Sequence, residues 1–183
     1  MYMFMGCNVL ENASNILIHI ISEKPNMMYV CANCNSMKKP PLFNFLNVPI
    51  VKTYTSMYAS CYSLECASVY WGDGTADPVT ERSSCQNMFF KCWKVKDLDF
   101  GKENTGSPTN LDLSYCKDLT VDSVDSLQKS LLTIPEGSYG TYEITLATKT
   151  VENLTANYPE ILEGFTAKGW TIKSLTREES EDE

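Results

Sequence analysis

The sequence predicts an α/β fold: a solenoid whose stacked coils form a parallel sheet, closed by a C-terminal β-α-β-α-β cap. One short pattern occurs four times: an aromatic residue or methionine, then a cysteine, then an apolar residue three positions further on. The cysteines of the four copies, Cys7, Cys34, Cys61 and Cys92, are 27, 27 and 31 residues apart. A fixed period of this size is typical of solenoids, in which each repeat packs only against its neighbours. After residue 110 the pattern ends, and helical and strand periodicities alternate.

Each coil is predicted to contain a turn that carries the cysteine, followed by a short strand. Apolar residues recur six and eight positions after most of the cysteines, and two inward positions two residues apart are expected of a strand. Asn15 breaks this rule in the first coil. Pro40 and Pro41 remove two backbone donors at the start of the second strand, a place where proline is tolerated. The four strands are predicted at 13–18, 41–45, 67–71 and 98–100.

The segment after residue 110 is predicted to form the cap, because an open solenoid end would expose its apolar interior. Alternation predicts strands at 111–113 and 142–147, and a last strand follows the turn at Gly169. Helical spacing predicts helices at 123–132 and 151–167, the second interrupted near Tyr158 and Pro159. The chain is thereby divided into about four degenerate coils over 1–110, a cap over 111–175 and an acidic, disordered tail over 176–183.

Charge and hydropathy exclude two classes of partner. The 183 residues carry a formal net charge of −8, and an acidic surface repels phosphate backbones, so no nucleic-acid partner is expected. The longest apolar run, 16–21, is far too short to span a bilayer, so no membrane insertion is expected. The first coil starts at the N-terminus with nothing before it, and we expect this uncapped end to dock on a partner, to self-associate or to follow an upstream segment.

The eight cysteines allow three interpretations. Cysteine is among the residue types most often buried, so the four repeat cysteines are predicted to stack as a structural ladder of internal thiols. Zinc is the first alternative, because Cys31 and Cys34 have metal-ligand spacing and Cys61 with Cys66 could supply a second pair. Disulfide bonding is the second alternative, among Cys31, Cys66 and Cys85. The ladder is preferred and suits a reducing place of synthesis, so the sequence predicts neither a metal nor a cofactor.

No constellation of residues indicates catalysis. His19 is the one histidine, it lies in an apolar run, and a nucleophile system would have to use it. No Gly-rich phosphate loop is present. Aromatic residues that face outward from strands make contact anchors, although core packing is an equally good interpretation of them. The candidate contact surface consists of Phe43, Phe45, Tyr70, Trp71 and Asp99.

The repeat resembles the BspA-type leucine-rich repeat, commonly written Met-Phe-x-x-Cys-x-x-Leu and followed by Leu-Asp-Leu-Ser or by a proline-containing strand. Residues 88–95 with 98–101 match it closely, 57–64 match it again, and 37–45 resemble the proline-containing form. Residues 111–120 and 167–172 resemble the end unit that often follows such repeats. Val30 departs from the pattern, because it replaces the methionine or phenylalanine of the second coil.

The resemblance implies a non-enzymatic module for contacts with proteins or cell surfaces. Such repeats occur in bacterial surface adhesins and in virion and tail proteins of phages that infect gut bacteria. We therefore expect a phage virion or tail component, made in the host cytoplasm, that acts in assembly or in attachment to the host surface. Its partners would be other virion proteins or a host cell-surface protein or glycan, and it would form a homo-oligomer or dock through its uncapped N-terminal end. The alternative is the ligand-binding domain of an adhesin on a bacterial cell surface.

Overall fold

The computed structural model describes residues 2–179 and shows a mixed α/β protein, as predicted. Nine short strands form parallel sheets, none of which is closed within the described residues, and three helices lie in the C-terminal part. The strands are β1 (Leu17–Ile20), β2 (Leu42–Phe45), β3 (Cys66–Ser68), β4 (Ser83–Ser84), β5 (Asp97–Asp99), β6 (Pro108–Thr109), β7 (Leu111–Leu113), β8 (Glu143–Ala147) and β9 (Thr171–Leu175). The helices are α1 (Val121–Ser130), α2 (Thr148–Asn157) and α3 (Pro159–Ala167).

Backbone hydrogen bonds join equivalent positions of consecutive repeats. The residue three places before a repeat cysteine donates its N–H to the next repeat: Phe4 to the carbonyl of Val30 at 2.8 Å, Cys31 to that of Met57 at 2.9 Å and Tyr58 to that of Met88 at 3.0 Å. Buried backbone groups need partners. Each turn satisfies some of its own groups, as where Cys61 N–H donates to the Tyr58 carbonyl at 3.1 Å, but these N–H groups are satisfied by the neighbouring repeat. The four copies of the sequence pattern are therefore stacked and held in one register.

The backbone conformation repeats with the sequence. The residue immediately before each repeat cysteine has a positive φ: 76° at Gly6, 59° at Asn33, 59° at Ser60 and 57° at Lys91. Glycine and asparagine adopt this left-handed conformation most readily, and two of the four copies use them. The turn before the cysteine is thus the same in every repeat, which allows the backbone hydrogen bonds to recur.

The core runs continuously through the repeats and into the cap. The apolar residue three places after the cysteine is completely buried in the last three repeats, as Met37, Leu64 and Val95. Further along, Leu113, Leu146 and Phe165 bring β7, β8 and α3 onto the same core. The cap sheet has the order β7-β8-β9 with all strands parallel, so its helices serve as crossover connections.

The parallel sheet of the repeats is interrupted, contrary to the expectation of one continuous sheet. β1 pairs only with β2 and β3 only with β5. The second and third repeats are still joined where Glu65 N–H donates to the Lys38 carbonyl at 3.0 Å. Continuing that register places Lys39, Pro40 and Pro41 opposite β3, and the two prolines cannot donate to it. β2 therefore begins only after the prolines, at Leu42, and stands apart from β3.

The far edge of β5 is closed by α1 instead of by another strand. Ser123 Oγ accepts the N–H of Leu98 at 2.8 Å, and Ser126 Oγ accepts that of Phe100 at 3.2 Å. The two serines are three residues apart in α1, so both face the same side of the helix. Natural sheets protect their open edges in this way, which prevents pairing with another chain.

The observed strands differ from the predicted ones in two further places. β1 starts at Leu17, later than predicted, because Ala13 is buried while Asn15 is exposed and cannot face the core. The pair β4 and β6 was not predicted, since two residues are too few to show a hydrophobic alternation. In the predicted tail, Arg177 forms an ion pair with Asp112 at 2.9 Å. Residues 180–183 of that tail lie outside the described residues.

Replacement of Ser123 by alanine should destabilise the protein by about 1–3 kcal/mol, because it leaves the buried Leu98 N–H without an acceptor. The free energy of unfolding from urea denaturation measures this loss. Ser68→Ala is the matched control, since Ser68 is exposed on the neighbouring strand β3, and it should change stability by less than about 0.5 kcal/mol. Equal stability of the two variants would contradict the closing role of α1.

Candidate functional site

A groove of about 740 Å³ is lined by residues of β2, of the β3 segment, of β5 and of the start of α1, and it is the candidate binding site. Phe43 and Phe45 of β2 line it together with Cys66, Ser68 and Tyr70 of the β3 segment. Beyond Tyr70 the second and third repeats are joined again, where Val51 N–H donates to the Trp71 carbonyl at 3.0 Å. The break in pairing between β2 and β3 therefore lies between two points at which the same repeats are hydrogen-bonded. The volume of the groove is within the range of small-ligand and peptide pockets.

The aromatic side chains of the groove are held in place by one another. The rings of Phe45 and Tyr70 stack across it with their centroids 4.7 Å apart and their planes 8° from parallel. Phe43 lies beside Phe45 at 6.5 Å. Tyr70 donates its hydroxyl to the Val48 carbonyl at 3.0 Å, which fixes the ring. All three rings are half-buried, so they pack on the core and still present one face to the groove.

The charged residues that line the groove are mostly acidic. Asp97 and Asp99 are exposed on β5, and Asp122 is exposed in the first turn of α1. Asp99 keeps its orientation by accepting the Gly101 N–H at 2.9 Å, and Asp97 accepts the Thr120 hydroxyl at 3.3 Å. Lys39, which precedes the two prolines, is the one cation among the lining residues. The site therefore has a negative balance, which favours cationic ligands.

Backbone N–H groups of β2 and of the β3 segment also face the groove. Leu42 and Leu46 donate their N–H groups to β1, at 2.9 Å each, and alternate residues of a strand point to alternate sides. The N–H groups of Phe43 and Phe45 are therefore directed away from β1. In the β3 segment, Val69 N–H donates to β5 at 2.7 Å. By the same alternation, the N–H group of Ser68 is directed toward the groove. Within residues 2–179 no strand pairs with either of these edges.

Four of the five predicted contact residues line this groove: Phe43, Phe45, Tyr70 and Asp99. The prediction was wrong for Trp71, which is only 1% exposed. It stacks on Phe100 at 5.7 Å and donates its indole N–H to Ser130 Oγ at 3.1 Å. Consecutive residues of an extended chain point to opposite sides, so Tyr70 and Trp71 could not both face outward.

The repeat cysteines connect one repeat to the next. Cys34 Sγ donates to the Phe4 carbonyl at 2.9 Å, Cys61 Sγ to the Cys31 carbonyl at 2.9 Å and Cys92 Sγ to the Tyr58 carbonyl at 3.0 Å. These acceptors belong to the same residues whose N–H groups bind the next repeat. Cys34, Cys61 and Cys92 are completely buried, whereas Cys7, in the first repeat, is half-buried.

All eight cysteines are free thiols in the structure. Burial raises the pKa of Cys92 to about 12 and raises the pKa of Cys85 and Cys116 well above the ordinary value. Thiolates are the reactive form, so these buried thiols are poor nucleophiles. In the described part of the chain, no three histidine, cysteine or acidic side chains lie close enough together to hold a metal ion.

His19 lies on β1, exposed, with its Nδ1 3.4 Å from the side-chain nitrogen of Asn44. A second cleft, of about 630 Å³, is polar and lies over the outer face of the cap sheet. It contains Arg82 together with the ion pair of Lys173 and Glu143, which are 2.7 Å apart. Sequence patterns did not indicate this cleft, because its residues come from separate segments with no shared spacing.

None of the helices in residues 2–179 has the length and apolar character needed to cross a membrane. Comparison of the chain with protein-family models, with curated proteins and with solved structures gives no match.

Titration of the native protein with a thiol reagent should detect two fast thiols, Cys7 and Cys66, because these alone among the eight are partly exposed. Unfolding should make all eight reactive. Burial also raises the pKa of Cys66, so its alkylation should accelerate as the pH rises from 7 toward 10. Mass spectrometry of alkylated peptides identifies the modified positions. Rapid modification of Cys61 or Cys92 in the native protein would contradict the stacked arrangement.

Proposed function

We propose that this protein is a non-enzymatic binding module, built as a BspA-type leucine-rich-repeat solenoid, and that it is a virion or tail component of a phage. It acts in particle assembly or in attachment to the host surface. The repeats supply a rigid scaffold, and the groove supplies the contact surface. This assignment rests on the family resemblance of the repeats together with the character of the groove.

The observation that carries the proposal is the half-buried aromatic cluster of Phe43, Phe45 and Tyr70, which lines the groove. Large side chains at the surface cost solvation free energy, and Phe43, Phe45 and Tyr70 are held rigidly by stacking and by a hydrogen bond. Rigid aromatic anchors lose little conformational entropy when they bind a partner, which is why they dominate interface energetics. Burial raises the pKa of Cys66, the thiol that lines the groove, so at neutral pH it is mostly in the less reactive protonated form.

The free thiols favour a virion component over the alternative of an exported adhesin. Eight cysteines without a disulfide suit folding in a reducing cytoplasm, where virion proteins are made. An adhesin domain passes through an oxidising compartment, in which eight free thiols would be prone to oxidation. The adhesin remains the alternative because BspA-type repeats occur in such proteins as well.

Density-gradient fractionation of a lysate from the source culture distinguishes a virion component from a cell-surface adhesin. Antibodies against the recombinant protein should detect it in the fraction that holds intact, DNase-resistant particles. A virion component co-migrates with encapsidated DNA and resists washing with high salt. Detection in the cell-envelope fraction alone would contradict the virion assignment and would support the adhesin.

Removal of two aromatic side chains of the groove should weaken attachment without unfolding the protein. The double variant Phe45→Ala with Tyr70→Ala should bind particles or host cells at least about tenfold more weakly, since interface aromatics contribute about 2 kcal/mol or more each. Tyr139→Ala is the matched control, because Tyr139 is 96% exposed and lies outside the groove. Circular dichroism checks that both proteins are folded. Wild-type attachment by the double variant would contradict the role of the groove.

A further inference from the structure

We propose that the polar cleft over the outer face of the cap sheet binds an anionic sugar, whose charged group contacts Arg82. The cleft shares no lining residue with the groove, so the inference goes beyond the proposed function of the groove and does not depend on it. Three features of the cleft carry it: an arginine without an acidic partner, a fixed position of its guanidinium group and a lining of amide and hydroxyl side chains.

The first feature is the balance of charge in the cleft. Glu143 forms an ion pair with Lys173 at 2.7 Å. Asp112 forms an ion pair with Arg177 at 2.9 Å. Arg82 lines the same cleft, and no carboxylate of the described residues forms an ion pair with it. The paired charges offset each other, so Arg82 gives this cleft a local positive charge, which favours an anionic ligand.

The second feature is the fixed position of the Arg82 guanidinium. Its Nη2 donates to the carbonyl of Pro108 at 2.8 Å and to that of Thr141 at 3.1 Å. The group also lies over the ring of Tyr142, with its central carbon 4.3 Å from the ring centroid. Nε is buried without a partner, whereas Nη1, which has no partner among residues 2–179 either, is accessible. The hydrogens of Nη1 are therefore available to a ligand, and the side chain need not be reordered to bind it.

The same guanidinium is only partly solvated. Burial lowers the pKa of Arg82, because part of the charged group has lost its contact with water. A cation in this environment gains more from an anionic partner than a fully solvated cation does, since the effective dielectric constant is lower. An anion at Nη1 would therefore supply the partner that the described part of the chain does not provide.

The third feature is the remaining lining of the cleft. The side chains of Gln86, Asn110 and Thr145 line it and have no hydrogen-bond partner within residues 2–179. Amides and hydroxyls both donate and accept, as the hydroxyl groups of a sugar do. The aliphatic lining residue, Leu111, is 1% exposed and offers no apolar pocket for the anchoring side chain of a peptide. A volume of about 630 Å³ is in the range of small-ligand sites.

Three probes with one common core test this inference: sialyllactose, which carries a carboxylate, sulfated lactose, which carries a sulfate, and neutral lactose. NMR titration of the isotope-labelled protein measures the three dissociation constants and locates the shifted resonances. One anionic probe or both should bind at least about tenfold more tightly than lactose, since charge-assisted hydrogen bonds are about twice as strong as neutral ones. The amide resonances of Gln86 and Thr145 should shift, and added salt should weaken only the anionic probes. The tighter of the two anionic probes identifies the charged group.

Arg82→Gln should lower the affinity for the anionic probes about tenfold, to that for lactose. Because Arg82 also holds the backbone at Pro108 and Thr141, a second variant leaves these contacts in place. Thr145→Val keeps the shape of the side chain, loses one hydroxyl and should weaken sialyllactose roughly threefold. Lys94→Gln is the matched control, because Lys94 is exposed outside the cleft and its replacement removes the same charge. Circular dichroism checks that the variants are folded.

Equal affinity for lactose and the anionic probes, or binding of none of them, would overturn the inference. Equal weakening by Lys94→Gln and Arg82→Gln would trace the preference to net charge and would overturn the assignment to this cleft. Tighter binding of an end-blocked peptide of two glutamates than of any sugar would assign the cleft to acidic peptides and overturn it too. None of these results bears on the groove, whose role is tested separately by the double variant Phe45→Ala with Tyr70→Ala.

Discussion

The structure depends on the hydrogen bonds that run from each repeat to the next. No single repeat can bury its apolar residues or satisfy its turn backbone alone, so stability comes from stacking. Phe4, Cys31 and Tyr58 each use the N–H for a backbone bond and the carbonyl for the thiol of the following repeat. A cysteine is small enough to remain buried between coils and still carries a donor. The left-handed residue before it sets the turn that makes this possible.

The groove follows from a defect in this stacking. Pro40 and Pro41 stand where the second repeat should pair with β3, and proline has no N–H to donate. The two repeats separate there and rejoin at Val51 and Trp71, so the break is confined and the scaffold on either side stays rigid. A local loss of sheet pairing thus leaves strand edges, aromatic rings and carboxylates facing one opening.

The edge of β5, in contrast, is covered by a helix. Where a further strand would follow β5, the chain forms α1, and two of its serines accept the N–H groups of Leu98 and Phe100. The N–H groups at this edge of the repeats therefore have side-chain acceptors. A second parallel sheet packs on the same core, and it consists of β7, which precedes α1, with β8 and β9, which follow it.

The sequence by itself determined the repeat, its period, the buried cysteine positions and most helices and strands of the cap, because each leaves a periodic trace of apolar residues. Of the five residues predicted to form a contact surface, Phe43, Phe45, Tyr70 and Asp99 line the groove, and whether they contact a partner stays a prediction. Tertiary structure alone decided that Trp71 is buried, that β2 and β3 separate, and that Asp97, Asp99 and Asp122 meet at one groove. Those features depend on the register between repeats. Register is set by backbone hydrogen bonds across distant segments. The sequence shows that Pro40 and Pro41 cannot donate such bonds, but it does not show which strand lies opposite them.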